Sequence, residues 1–410
     1  MNVLEVMSDS LADVRAHAGR TTLQTLGVVL GVASVVGTMG LTAGERQQSL
    51  KYYTESGGVL KVMVWPKQAE TVRASARERA SRGLTLDDVE ALRASLPAFE
   101  LVEPKIGRTV LVRGPRATRN LYVTGVGPRY ADLHELQIER GRFIADEDVT
   151  TSANLCMLGA DRAREFFGSE DPIGKLIRLG GDLYRVAGLL RYREFYWNKS
   201  DTYNALGWMN ELIAVPVTAI QARAVGAGSR KIDEIGLRLA SVEAHKEAVP
   251  ALRRLLLARH GAEDFQVWDR KDRVDQMDQQ GKVYDITFMV CGLISLLVGG
   301  IVVANILLAS FTERMREVGI RKALGAQGWH IAVQFLLESA IVTGLGGAAG
   351  LVLGIGFVHA MASLLSQTAV LTPSMVAGAI LSAGTVGLLF GLFPAWKAAR
   401  LDPVVALRYE

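Results

Sequence analysis

The sequence has few cysteines and no motif of a known catalytic nucleophile. Its 410 residues include two cysteines, Cys156 in a predicted water-exposed stretch and Cys291 in an apolar run, which excludes a disulfide framework. The six histidines show neither H-x-x-x-H spacing nor a nearby cysteine, a pattern typical of structural histidines. No G-x-S-x-G nucleophile elbow occurs. We therefore expect no catalytic residue, cofactor or metal in this chain.

Positive charge is present but is not concentrated as nucleic-acid binding requires. Hydrophobic residues make up 49% of the chain and charged residues 21%, which is too apolar for an ordinary soluble domain and too charged for membrane spans alone. The formal net charge is +4, yet Lys and Arg are spread along the chain and gather beside apolar segments. We expect a protein that lies partly in lipid, partly in water, and does not bind nucleic acid.

Four uncharged runs are long enough to cross a membrane, because a helix rises 1.5 Å per residue and needs about 20 apolar residues for a hydrocarbon core of about 30 Å. The runs are 22–43, 286–312, 339–362 and 375–394. The first run lacks a convincing signal-peptidase site, so we expect an uncleaved anchor. The chain is thus predicted to be a multi-pass membrane protein.

The short loops predict the orientation of the spans, because Lys and Arg near a span resist translocation. Arg15 and Arg20 precede the first span and four cations fill the loop after the second, whereas the loop 363–374 has neither Lys nor Arg. Both termini are therefore expected in the cytoplasm, and residues 44–281 on the opposite side.

Glycines recur four residues apart within the spans, a spacing that lets helix backbones approach closely in lipid. They are Gly27 and Gly31; Gly346, Gly350 and Gly354; and Gly387 and Gly391. Two interpretations are open at this point: a dimer or moving interface, and tight packing within one subunit.

The long segment after the first span predicts an α/β or α+β domain. Strand-like runs begin near Val59, Asn120, Asn154, Leu183 and Glu234. Helices are predicted at 87–95, 161–167 and 242–260, the first with a capping box of Thr85 and Asp88. Because about 240 residues exceed the usual size of one domain, we expect two lobes.

An apolar stripe runs from this domain into the second span without a break. Its positions are Val274, Met277, Gly281, Tyr284, Phe288, Cys291, Ser295 and Val298. No proline occurs between Pro250 and Pro373, so one continuous helix is predicted. It is interpreted either as a rigid stalk, with Val274, Met277, Tyr284 and Phe288 as a stalk and dimer stripe, or as an amphipathic helix that caps the domain.

A short charged helix is predicted between the second and third spans. The stretch ERMREVGIRKALGA begins at residue 313 and carries two glutamates and four cations. Val318, Ile320 and Leu324 offer an apolar ridge beside these charges, a combination that suits docking into a partner's groove. A basic loop that only sets topology would explain the cations but neither the glutamates nor the ridge. We predict a coupling helix that passes motion from a soluble partner to both spans.

Several motifs in the same order resemble MacB-type and FtsX-type ABC transporter permeases. They are TLGVVLGVASVV in the first span, GRFI and LGADRAREFFGSEDPIGKLIRLGGDLYRVAGLL in the outer domain, TERMREVGIRKALGA followed by QFLLES, and the ending FPAWKAARLDPVVALRYE. Together they extend over most of the chain, and their joint occurrence is much more specific than any one of them.

The resemblance implies a four-span subunit of the bacterial inner membrane that forms a homodimer or heterodimer and binds an ABC ATPase dimer. ATP and Mg²⁺ are then expected on the ATPase, and its motion is expected to reach a MacB-like periplasmic domain, a process called mechanotransmission. Contact with the ATPase is implied for Glu313, Arg314, Glu317, Gly319, Arg321, Lys322, Gly325 and Ala326, with Glu338 near the cytoplasmic surface. A cytoplasmic tail close to that contact is implied for Arg400, Pro403, Leu407 and Arg408.

Two features depart from the family pattern. MacB carries its ATPase on the same chain, whereas a short segment precedes the first span here, so the ATPase is expected to be a separate polypeptide. The segment 191–208 is unusually aromatic. Phe195, Tyr196, Trp197 and Trp208 are candidates for binding a partner or a lipid-like substrate, and burial within the lobe is the alternative.

The expected function is efflux, by export or extraction of an amphiphile, with membrane lipid around the spans and a periplasmic adaptor and outer-membrane channel as further partners. The alternatives are an FtsX-like regulator of a periplasmic cell-wall hydrolase and a lipoprotein-release subunit resembling LolC and LolE. The predicted segments are a cytoplasmic segment 1–20, spans 21–43, 282–312, 329–362 and 375–394, a periplasmic domain with stalk 44–281, a coupling helix 313–328, an outer loop 363–374 and a cytoplasmic tail 395–410.

Reversing the charge of both Arg321 and Lys322 is expected to uncouple ATP hydrolysis while the outer domain stays folded. The reason is that a partner surface complementary to positive charge repels negative charge placed at the same positions. The measurement is ATP hydrolysis in reconstituted membranes, and unchanged coupling would contradict the predicted contact.

Overall fold

The computed structural model describes residues 18–67, 83–198, 200–226, 228–364 and 369–407. It divides into a helical unit, the described residues of Met1–Gln48 and Asp278–Glu410, and a sheet unit, those of Ser49–Met277. The predicted fold class is confirmed, because long apolar helices form the first unit and a mixed α/β domain lies between the first and second of them.

Helices and strands alternate through the sheet unit. The described α-helices are α1 Ala18–Glu55, α2 Leu86–Ser95, α3 Tyr130–His134, α4 Asp146–Thr150, α5 Ala160–Phe167, α6 Gly207–Asn210, α7 Val217–Ile220, α8 His245–His260, α9 Arg270–Glu313, α10 Met315–Ala323, α11 Gly328–Leu364, α12 Pro373–Ala399 and α13 Pro403–Leu407. A π-helix, Gln221–Val225, follows α7. The described strands are β1 Lys61–Pro66, β2 Phe99–Arg113, β3 Thr118–Val126, β4 Ile138–Gly141, β5 Leu155–Leu158, β6 Leu176–Leu179, β7 Asp182–Leu190, β8 Ile213–Pro216, β9 Glu234–Leu239 and β10 Phe265–Asp269.

Within the described residues, four helices are long and apolar enough to cross a membrane: α1, α9, α11 and α12. Two of them continue into the sheet unit. α1 extends past its expected end at residue 43 to Glu55, because the added stretch GERQQSLKYYTE contains mostly residues of fair helix propensity. α9 is unbroken from Arg270 to Glu313, which is the continuous helix that the apolar stripe predicted.

The glycines of the spans lie against helices of the same chain. A Cβ atom on Gly27 would overlap the backbone of Gly299, so α1 and α9 meet backbone to backbone. The Ser339 hydroxyl donates to the Gly387 carbonyl at 2.7 Å across the contact of α11 with α12. The glycines of α11 that face α1 are Gly346, Gly350 and Gly354. These contacts favour the interpretation of tight packing within one subunit.

One ten-stranded sheet organises the described part of the sheet unit, in the order β10-β1-β9-β2-β3-β8-β5-β7-β4, with β6 pairing with β2 and β7. The pairs β3 with β8 and β5 with β7 are parallel, and the other pairs are antiparallel. β2 is long enough to pair with β9 in its first half and with β3 in its second. The lobes predicted from length therefore share one sheet.

Strands β5 and β8 are buried on both faces of the sheet, which explains why they are apolar runs without alternation. In β5, Cys156 and Leu158 belong to one apolar cluster, while Leu155 and Met157 belong to another. Because successive side chains of a strand point to opposite faces, the two clusters lie on opposite sides of the sheet.

The strand-like runs of the sequence all form strands, but the longest strand was missed. β2 contains Pro104, and a proline inside a run argues against a central strand. Pro104 is paired opposite Ile235 of β9. The sequence rule fails here because a proline lacks only its N–H and keeps its carbonyl and its extended φ.

The predicted cap of α2 forms and belongs to a larger ion cluster. The Thr85 backbone N–H donates to the Asp88 carboxylate at 2.9 Å. Arg259 Nε donates to the same carboxylate at 2.7 Å. His260 bridges Asp88 at 3.3 Å and Asp264 at 2.7 Å, and all three of these side chains are largely buried. The cluster joins α2 to the end of α8.

These contacts shift the pKa values of His260 and Asp88. The hydrogen bond to Asp88 raises the pKa of His260 above its usual value, against the effect of burial and with help from Asp264. Burial acts to raise the pKa of Asp88, but hydrogen bonds from His260, Arg259 and Thr85 outweigh it and hold that pKa well below its usual range. The two carboxylates therefore favour the protonated form of His260 over the neutral form.

The sheet unit is expected to lose stability as the pH rises above neutrality. A histidine whose folded pKa is raised contributes stability that is complete below its unfolded pKa of about 6.5 and is lost as the pH rises through the folded pKa. A tenfold difference in proton affinity between the folded and the unfolded chain corresponds to about 1.4 kcal/mol of stability. The measurement is the thermal midpoint of the purified full chain, followed by tryptophan fluorescence on both sides of neutrality. The substitution His260→Asn should flatten the profile, and an equal fall in both proteins would contradict the assignment.

Candidate coupling surface

The charged helix after the second span is α10, which is shorter than the predicted 313–328. Gly325 ends it with a φ of +98°, in the left-handed region that favours glycine. The Ala326 N–H donates to the Arg321 carbonyl and the Gly325 N–H to the Lys322 carbonyl, both at 3.0 Å. This is the Schellman pattern of helix ends. It gives Gly325 and Ala326 a structural role within the loop.

α10 buries Val318 against the ends of three spanning helices. The surrounding apolar cluster contains Phe311 of α9, Ile331 and Phe335 of α11, and Ala395 and Ala398 of α12. The rings of Phe311 and Phe335 meet edge to face at 5.9 Å. The cluster therefore joins α10 to the ends of all three spans.

One of the three residues predicted to form an exposed apolar ridge on α10, Val318, is buried instead. Val318 is 5% exposed, whereas Ile320 and Leu324 are 46% and 84% exposed. Residues two apart on a helix point to different sides, so Val318 faces the cluster and Ile320 faces away. The exposed apolar surface of α10 consists of Ile320 and Leu324.

The two cations that the sequence treats as one pair lie in different environments. Lys322 Nζ donates to the carbonyls of Ala399 and Leu401, at 2.6 and 2.8 Å, and so caps the end of α12. Arg321 bonds to Glu317 at 2.6 Å and to Gln334 at 2.9 Å, with its side chain 44% exposed. Lys322 thus binds its own chain, while Arg321 stays at the surface.

The remaining predicted residues of the loop divide in the same way. Arg314 forms an ion pair with Glu338 of α11, with nitrogen and oxygen 3.9 Å apart and Glu338 largely buried. Glu313 is exposed. Gly319 is buried against the tail, where a Cβ would come within 2.5 Å of the Ala406 Cβ. Glycine at 319 is therefore required for close approach of the two helices.

The tail forms α13, which packs on α10 through Ala406. Asp402 caps α13, since its carboxylate accepts the Val404 N–H at 2.9 Å. Val404 and Val405 are 62% and 56% exposed. The sequence reasoning missed both valines, although an Asp before Pro403 is a helix-start signal that could have placed them.

The other predicted tail residues lie at the ends of α12 and α13. The guanidinium of Arg400 lies 4.5 Å from the centroid of the Trp396 ring, a cation–π distance. Pro403 begins α13, and Leu407 is its last residue. Arg408 lies outside the described residues. We give the name coupling surface to six exposed side chains of α10, its C-cap residue and α13: Glu317, Ile320, Arg321, Leu324, Val404 and Val405.

The stalk stripe is displaced by about one position from the face that packs on α1. Tyr284 and Phe288 are exposed, and Val274 and Met277 are half-buried. The positions that contact α1 include Asp278, which pairs with Arg46 at 2.8 Å, and Asp285, which accepts the Thr42 hydroxyl at 3.0 Å. They continue through Gly292, Leu296 and Gly299. Contact of Tyr284 and Phe288 with a second copy remains a prediction.

Of the four predicted aromatic candidates, Phe195, Trp197 and Trp208 are turned inward, whereas Tyr196 is exposed. Phe195 is 6% exposed and its ring lies 5.3 Å from those of Tyr52 and Trp197. Trp208 is half-buried, 5.2 Å from the His134 ring. Tyr196 is 39% exposed. The alternative of burial within the domain accounts for Phe195 and most of Trp197 and Trp208, and leaves Tyr196 as the candidate for an external contact.

One group among the described residues has the composition of a metal site. The ligand atoms of His245, Asp269 and Asp272 lie within 4.8 Å of one another. His245 bonds to Asp269, and the Asp269 carboxylate also accepts the Lys271 N–H at 2.9 Å. An ion pair and a helix cap account for these contacts without an ion.

Comparisons with known proteins agree with this architecture. The family model described as MacB-like periplasmic core domain matches residues 21–255, and the model described as FtsX-like permease C-terminal matches residues 289–403. The charged loop and most of the tail fall in the second match. The two matches together define a multi-pass ABC transporter permease with a large domain after its first span.

The chain belongs to the family of ABC transporter permeases with a MacB-like periplasmic core domain and an FtsX-like C-terminal region. It is 34% identical over 413 residues to the macrolide export ATP-binding/permease protein MacB of Shewanella sp. (strain ANA-3), covering 99% of this chain and 60% of that protein. The chain thus spans about 60% of the length of such MacB relatives.

Two further similar proteins match all of the chain and about half of it, respectively. The uncharacterized ABC transporter permease YknZ of Bacillus subtilis (strain 168) is 29% identical over 414 residues, with 100% of both chains covered. The crystal structure of the periplasmic region of MacB from Actinobacillus actinomycetemcomitans is 19% identical, covers 57% of this chain and 98% of that chain, and superposes with a TM-score of 0.46.

Lys322→Met and Arg321→Met are expected to affect stability differently. Removing the Lys322 ammonium leaves two helix-end carbonyls without their donor, which costs about 1–3 kcal/mol, whereas an exposed ion pair contributes about 0–1 kcal/mol. The measurement is the thermal midpoint of the detergent-purified full chain. A lower midpoint in the Arg321 variant than in the Lys322 variant would show that the cap at α12 is unimportant.

Proposed function

We propose that this chain is the permease subunit of a MacB-type ABC assembly in the bacterial inner membrane, with both termini in the cytoplasm. Its coupling surface receives ATP-driven motion from a separate ABC ATPase, which holds the ATP and Mg²⁺. The motion passes to the sheet unit in the periplasm and serves export or extraction of an amphiphile. Two permease copies act together in this proposal.

The packing of Val318 carries the proposal. α10 presents exposed apolar and charged side chains on one side and inserts Val318 between the ends of α9, α11 and α12 on the other. Exposed apolar groups beside charges are typical of protein-interaction sites. A partner that binds this surface acts on three spans at once, and one of them, α9, is continuous to Arg270 in the sheet unit.

The charge distribution supports the proposed sidedness. Arg314, Arg316, Arg321 and Lys322 lie in the loop that bears the coupling surface, and Lys397 and Arg400 lie at the end of α12. Cations near the ends of spans favour the cytoplasmic side. A cytosolic ATPase therefore has access to the coupling surface in the proposed orientation.

Leu324→Asp is expected to weaken binding of the ATPase encoded beside this gene by about tenfold or more. Leu324 is 84% exposed, and burying a leucine in an interface contributes about 1.5–3 kcal/mol, which the aspartate forfeits. The measurement is the dissociation constant of the two purified subunits in detergent, with stimulated ATP hydrolysis as a second readout.

The matched control is Leu257→Asp, which places the same change on an exposed leucine of α8 in the sheet unit. It should leave the dissociation constant unchanged. The proposed function would be contradicted if the unaltered chain neither binds this ATPase nor changes its rate of ATP hydrolysis. Equal binding by the Leu324 variant would instead move the contact elsewhere on the chain.

A further inference from the structure

The two helices that enter the sheet unit attach to neighbouring strands. α1 ends at Glu55, and a short link leads to β1, while β10 leads directly into α9. β1 and β10 pair as antiparallel strands, with Val62 opposite Asp269. The link after α1 contains Gly57 and Gly58, whose φ values are +112° and +81°. The two glycines leave the middle of this link without side chains of its own, and the Gly58 N–H donates to the Tyr53 carbonyl at 2.8 Å.

The side chain of Arg270, the first residue of α9, spans this link. Its Nη1 donates to the carbonyls of Tyr53, Ser56 and Gly58, at 3.3, 3.2 and 3.0 Å. The guanidinium also lies 5.4 Å from the Tyr53 ring centroid. One side chain at the start of α9 thus binds the end of α1 and both ends of its glycine link.

The last carbonyls of a helix lack partners within the helix and carry partial negative charge, so a cation there is favourable. Packing alone does not explain an arginine, because Arg270 is 6% exposed and its Nε has no hydrogen-bond partner in the described structure. A buried N–H without a partner is unfavourable, and an apolar side chain would avoid it. The arginine is therefore expected to have a role beyond filling space.

The backbone on the other side of Arg270 is also fixed. The Asp269 carboxylate accepts the Lys271 N–H at 2.9 Å and bonds to His245, the first residue of α8. Asp269 is itself the last residue of β10. The guanidinium is thus held between a capped helix start and a helix end, which leaves little freedom for one to move without the other.

We propose that Arg270 is a positioning residue that clasps the ends of α1 and α9, so that displacement of either helix moves the sheet unit as a rigid body. The inference rests on the proposed function, because it concerns how ATP-driven motion leaves the spans. With the clasp removed, motion of α1 is absorbed by Gly57 and Gly58 before it reaches β1.

The experiment uses the full chain with its ATPase in lipid nanodiscs. A single reporter cysteine replaces the exposed Tyr203 in a Cys291→Ser background, and its nucleotide-dependent labelling or spin-label spectrum reports the sheet unit. Arg270→Met removes the donors and the charge at similar volume, and Arg270→Lys keeps the charge. Arg162→Met is the control, since Arg162 is a partly buried arginine of α5 that pairs with Glu165 and Glu211.

The expected result is that Arg270→Met retains ATPase binding and hydrolysis and melts no lower than the Arg162→Met control. Its nucleotide-dependent change in the reporter signal should be at least about fivefold smaller than that of the unaltered chain. Arg270→Lys should fall between Met and the unaltered chain. If Arg270→Met does not fold, the nucleotide-dependent reporter signal of Arg270→Lys is used instead. A folded Arg270 variant with the full signal of the unaltered chain would contradict the proposed role of Arg270. An equal loss in the Arg162 control also overturns it. No nucleotide response in the unaltered chain would instead count against the proposed function.

Discussion

The packing of Val318 into the apolar cluster that contains Phe311 and Phe335 is the constraint on which the arrangement of the helical unit depends. It fixes a short amphipathic helix against the ends of three spans, so the helix cannot shift without displacing them. Close packing in this cluster leaves Ile320 and Leu324 at the surface. The same sequence stretch therefore serves two purposes, with one side binding the chain itself and the other remaining available to a partner.

The sequence predicts the spans well because their signal is simple: about twenty residues without charge have few other uses. It predicts the cap at Thr85 for a similar reason, since the interacting residues are local. It does not predict that α1 continues to Glu55, because a polar helix outside the membrane gives no strong period. The role of Lys322 was also hidden, because the carbonyls it binds lie far away in sequence, after α12.

The position of the stalk stripe shows a more general limit. Along an apolar helix, one set of positions three and four apart is as plausible as the neighbouring set, and only the partner helix decides between them. Asp278 and Asp285 mark the true contact face, yet as charged residues they were excluded from an apolar stripe. Their partners Arg46 and Thr42 explain why polar residues occupy it, because polar pairs replace glycine contacts at the end of the uncharged run 22–43 and just after it.

Strand β2 joins the two halves of the sheet, since it pairs with β9 over its first residues and with β3 and β6 over its last. A chimera that exchanges part of this domain between relatives must therefore keep β2 whole and cut elsewhere. A crossover inside Phe99–Arg113 would join the strand-pairing register of one relative to that of the other. The strands paired with the two halves of β2 would then be misaligned with each other. Exchange of segments between relatives is thus confined to the parts of this domain outside Phe99–Arg113.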